Sequence, residues 1–103
     1  MRIGKIPPPQ SLVSDWIKSQ PPLIQGSLRI ALQEYASTSM ERQTDSILRI
    51  AIELINEINP SMSPDEIAES VAPQLISKIG PEISMPLAKI YVLIAAFTIA
   101  LEG

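Results

Sequence analysis

The side chains best suited to acid–base work in this sequence are two carboxylate pairs, Glu53 with Glu57 and Glu66 with Glu69. On a helix, spacings of four and three put each pair on one face, and a buried pair of this kind can divide into proton donor and proton acceptor. The remaining parts of a catalytic centre are missing. Histidine and cysteine do not occur, so Ser–His and Cys–His nucleophiles, imidazole or thiolate metal sites and disulfides are excluded. Gly4, Gly26, Gly80 and Gly103 lie too far apart to form a phosphate-cradling loop. Arg49, one turn before Glu53, fits the first pair to a solvated face. The expectation is a protein that is not an enzyme and carries no metal and no cofactor.

What the sequence does offer is apolar surface. The segment from Leu87 to Leu101 is broken only by Lys89 and Thr98, which at helical spacing define no continuous polar face. A helix that is apolar all round must be enclosed by its own protein, by a partner or by lipid. Ile47 to Ile58 is nearly as greasy, with Asp45, Arg49, Glu53 and Asn56 or Glu57 as one narrow polar strip. Two such helices in a small chain point to self-association, with a homodimer or a protein partner as the expected assembly, the alternative being a compact monomer with the last helix at its centre. Tyr91, Ile94, Phe97 and Leu101 stand at helical spacing on the last segment and form the expected interface.

Two other readings compete. In the first, residues 83–101 form a short C-terminal membrane anchor. The run from Leu87 spans roughly 22 Å at about 1.5 Å per residue, against the roughly 30 Å of a bilayer core. In the second, residues 63–79 form a helix-turn-helix, because Asp65-Glu66-Ile67-Ala68-Glu69 looks like the opening of such motifs. The segment that follows lacks an evident turn and holds one basic residue, Lys78, whereas DNA binders draw much of their affinity from Lys and Arg on phosphates. Nucleic acid is therefore not the expected partner.

The elements that must position these residues follow from local chemistry. The chain has 103 residues, 46% of them hydrophobic, and a net charge of −3 with both signs scattered, which suits one domain. The lack of cysteine favours the cytoplasm, as does an N-terminus, Met1-Arg2-Ile3-Gly4-Lys5, that runs into prolines without an apolar leader. Residues 1–10, with Pro7-Pro8-Pro9, are expected to form an extended arm with Ile3 and Ile6 as apolar handles. Residues 11–103 are expected to form a single helical domain.

Within it, a short helix is expected from Ser11 to Ser19 with Leu12, Val13, Trp16 and Ile17 on one side, closed by Pro21-Pro22. A second runs from Pro22 or Ser27 to Ala36, its start blurred by Gly26. A third is expected from Met40 to Asn59, with Ser39 as its cap and Asn59-Pro60 as its stop. Ser63-Pro64-Asp65-Glu66 opens a fourth in the capping-box pattern. In this fourth helix Ile67, Val71, Leu75 and Ile79 line one face, and Pro73 should kink or divide it. Gly80-Pro81 closes it, and Pro86 starts or bends the last. The fold class is all-α, a compact bundle of four to five helices with the third and last as its spine.

Overall fold

In the computed structural model, which describes residues 8–38, 41–58, 62–80 and 83–102, five helices follow one another. They are α1 (Pro8–Lys18), α2 (Pro22–Thr38), α3 (Arg42–Asn56), α4 (Pro64–Ile79) and α5 (Met85–Glu102). The all-α bundle is as expected. The radius of gyration, 12.9 Å, matches the roughly 13 Å of a compact domain of about this length.

Local chemistry sets most of the boundaries. Helix α1 begins at Pro8, so the last three residues of the expected arm are helical, while residues 1–7 lie outside the described chain. Proline suits a first helical turn, whose amides have no intrahelical partner. The α1 terminus tightens as the Ser19 and Gln20 amides donate to the carbonyls of Trp16 and Ile17, both at 3.0 Å. The Gln25 side chain then donates to the Gln20 carbonyl at 2.7 Å, tying the turn to α2.

Helix α2 runs through Gly26 without a break. A Cβ placed there would meet nothing within 4 Å. Gly26→Ala is therefore expected to raise stability by about 0.5–1 kcal/mol, read as a higher urea midpoint at unchanged slope.

Helix α3 is shorter than the sequence suggests. Its N-cap is Glu41, with extended backbone and no side-chain cap bond, and the expected cap, Ser39, lies outside the described residues with Met40 and Asn59. The α2–α3 corner is held instead by Thr44, whose buried hydroxyl donates to the Thr38 carbonyl at 2.6 Å. At its other end α3 winds down as the Glu57 and Ile58 amides reach back to Leu54 and Ile55.

Helix α4 opens as expected. The Ser63 hydroxyl accepts from the Glu66 amide at 3.3 Å, and the Glu66 carboxylate accepts from the Ser63 amide at 2.8 Å. Gly80 closes it at φ 119°, in the region where glycine alone is unstrained. Pro73 neither divides the helix nor ends it. The side chain is exposed, and so is Glu69 four residues earlier, whose carbonyl loses its amide partner on the side open to water. The buried face is also narrower than expected. Ala68, Val71, Ala72 and Leu75 are buried, while Ile67, Ile76 and Ile79 form half-buried shoulders.

Helix α5 starts one residue before Pro86. Ser84 accepts from the Leu87 amide at 3.4 Å through its hydroxyl and from the Ala88 amide at 2.8 Å through its carbonyl. All four other helices pack on α5. Residues 90–95 are buried in unbroken succession, which at 3.6 residues per turn means that every side is covered. The bundle therefore has one spine, α5. Helix α3 buries only the stripe Thr44, Ile47, Ala51 and Leu54, and Leu48, Ile50, Ile52 and Ile55 are half covered on its flanks.

Candidate interaction groove

Lys89 and Thr98, the two polar residues inside the apolar run of α5, are both accommodated. The Lys89 ammonium pairs with the Glu69 carboxylate of α4 at 2.8 Å, and the Thr98 hydroxyl donates to the Ile94 carbonyl one turn back at 2.7 Å. Glu69 is thus engaged in an ion pair and Glu66 in the capping box, while Glu53 on α3 and Glu57 just past its end are exposed. The carboxylate pairs form no enclosed acid–base site. No group of three or more His, Cys, Asp or Glu side chains that could hold a metal ion occurs among the described residues.

The four residues expected to make an interface do not share one surface. Tyr91 and Ile94 are buried inside the chain, Phe97 is half-buried, and Leu101 is 56% exposed. Tyr91 meets Tyr35 of α2 edge to face, with ring centroids 5.4 Å apart and planes at 87°. That contact, together with Thr38 beside Ile83 and Leu87 around a small open pocket of about 160 Å³, shows that α2 runs antiparallel to α5. Tyr91 and Ile94 therefore serve the core, because α1 to α4 already enclose that half of α5.

Burial, followed by the neighbouring Tyr91 and Asp45, pushes the Tyr35 phenol above its ordinary value near 10. The folded state then holds that proton to a higher pH than the unfolded chain does, and stability falls as pH rises beyond about 10. Urea midpoints measured across the alkaline range are expected to drop in the wild type and to drop less in Tyr35→Phe.

The remaining part of α5 emerges from this cover. Its residues 96–99 are half-buried, and Ala100 and Leu101 are exposed. Here the end of α3, the start of α4 and the end of α5 enclose an open groove of about 430 Å³, lined chiefly by Ile55, Ile58, Met62, Ile67, Phe97 and Ile99. The volume falls within the range of small-molecule and peptide side-chain pockets. Asn56 brings the one polar side chain among its lining residues. Of the expected interface residues, Phe97 alone lines this groove.

The surroundings of the groove are acidic. Residues 50–77, which supply the α3 and α4 lining, contain Glu53, Glu57, Asp65, Glu66 and Glu69 and no lysine or arginine, with Glu69 neutralised by Lys89 of α5. Asp65 faces the neighbouring helix, accepting from Trp16 Nε1 at 2.6 Å and Gln20 Nε2 at 3.1 Å. That pairing puts the α1–α2 turn beside the start of α4, at the same end of the bundle as the groove. Ile55 and Ile67 sit on the shoulders of buried helical stripes, and Ile58 and Met62 lie outside the helices, so periodicity alone does not bring these four together. The absence of basic residues from 50 to 77 was the one available signal.

The competing readings are narrowed by the same geometry. Residues 64–79 form one uninterrupted helix, so the turn of a helix-turn-helix is not present there. Among the described residues no helix is long and apolar enough to cross a membrane. Compared with known protein families, with characterised proteins and with solved structures, the chain matches none.

Proposed function

We propose that this protein is a non-catalytic interaction module that takes an apolar segment of a protein chain, its own kind included, into the groove between α3, α4 and α5. The observation that supports it is the groove itself, about 430 Å³ with a mostly apolar lining. An apolar concavity of that size on a small helical domain is where a partner's side chains gain most from leaving water. The lack of histidine and cysteine supports a non-catalytic role, and the lack of cysteine also supports a cytoplasmic location.

The test uses Nile red, an uncharged apolar dye, with dilute protein. Its fluorescence is expected to rise with the wild type and with Leu23→Glu, whose side chain is 95% exposed on α2. It is expected to fall to background with Met62→Glu, which puts a charge into the groove from a position ahead of the α4 cap. A Met62→Glu that lights the dye as brightly as Leu23→Glu does rejects the groove as a binding site.

A further inference from the structure

We infer that the occupant of the groove is the N-terminal arm, residues 1–7, of a second copy of this chain; the inference rests on the groove being a binding site. Charge is the first argument. The arm, Met1-Arg2-Ile3-Gly4-Lys5-Ile6-Pro7, carries two basic residues and no acid, and its apolar side chains are Met1, Ile3 and Ile6. The stretch from 50 to 77, which supplies the α3 and α4 walls, carries five acids, of which Glu69 is paired with Lys89, and no basic residue. Lys18, in the last turn of α1, is a basic side chain at this end of the bundle and does not line the groove. Apolar residues interleaved with Arg2 and Lys5 suit an apolar trough with carboxylates such as Glu57 exposed beside it. Two grooves set face to face would instead bring acid against acid.

Reach is the second argument, and it separates a neighbour's arm from the chain's own. Trp16 and Gln20 contact Asp65, so the C-terminal end of α1 lies at the groove end of the bundle and Pro8 lies toward the other. Eight helical residues from Trp16 back to Pro8 amount to about 12 Å. No α1 residue lines the groove, which adds a sideways step of about one helix spacing, roughly 8–10 Å. Ile6 is two residues from Pro8 and can be no more than about 7 Å from it. A chain therefore cannot seat both Ile3 and Ile6 in its own groove, whereas a second copy's arm is free of that tether. Reciprocal exchange of two arms closes a two-fold dimer.

Full-length protein at high concentration, followed by size exclusion with light scattering, tests this. The wild type is expected at the mass of two chains. The arm variant Ile3→Asp with Ile6→Asp and the groove variant Met62→Glu are each expected to weaken association at least about tenfold and to run as monomers. An equal mixture of the two is expected to regain association, since one supplies an intact groove and the other an intact arm. A monomeric wild type, an arm variant that stays dimeric, or a mixture that stays monomeric overturns the inference. Nile red separates the two levels. An arm variant that is still dimeric yet lights the dye removes the arm and keeps the groove, whereas a dark wild type and a dark arm variant remove both.

Discussion

Leu93→Ala is expected to lower the unfolding free energy by about 2–5 kcal/mol, a large share of the stability of a small domain. Leu93 has no exposed surface and sits midway along the buried run of α5, where four helices converge. Removing its branched end takes apolar area out of contact and leaves a void, and surrounding helices held on all sides can collapse only partly into it. For a domain of this size that loss corresponds to a fall in melting temperature on the order of 10–20 °C. Leu101, on the same helix, provides the control. It is 56% exposed, and Leu101→Ala is expected to stay within about 0.5 kcal/mol of wild type. Urea unfolding of the two variants checks the pair, and equal midpoints would show that α5 is not the spine of the bundle.

Ala72→Leu is expected to cost about 1–3 kcal/mol for the opposite reason, excess volume. Ala68 and Ala72 are both buried one turn apart on α4, in one stripe with the buried Val71 and Leu75, and α4 packs on α5. Small side chains there let the two helix backbones approach, and a leucine would push the helices apart or force an unfavourable rotamer. Ser77→Leu, at an exposed position of the same helix, is expected to change little. A destabilised Ala72→Leu beside a neutral Ser77→Leu locates the close contact. Equal effects at both sites would show that the cost is a general property of leucine on α4.

Local rules made much of the architecture legible in advance. Ser63-Pro64-Asp65-Glu66 names its own function as a helix start, because a capping box satisfies amides within three residues of the cap. Pro21-Pro22 and Gly80 mark boundaries for reasons equally short in range. Ser84 ahead of Pro86 follows the same local grammar, its hydroxyl accepting from the Leu87 amide three residues on. Pro73 shows where the local rule yields, since a proline on a solvent-facing side lets the helix continue with one carbonyl left to water.

The candidate site was far less legible, and the reason is angular. An amphipathic helix states its orientation through its polar face, and α5 has none, so no sequence pattern says which of its sides meet protein. Tyr91 and Phe97 are alike in size and spacing along an apolar run, yet one is enclosed against Tyr35 and the other borders a groove. That difference arises because α1 to α4 reach only part of the way along α5. The side-chain pairings between helices, Trp16 with Asp65 and Lys89 with Glu69, join residues 49 and 20 positions apart. The sequence by itself determined the helices, most of their ends and the demand that α5 be covered, because those depend on hydrogen bonds and sterics within a turn or two. Only the tertiary structure decided how much of α5 the chain covers and therefore where an open apolar groove remains, because that depends on how far four separately formed helices extend over a fifth.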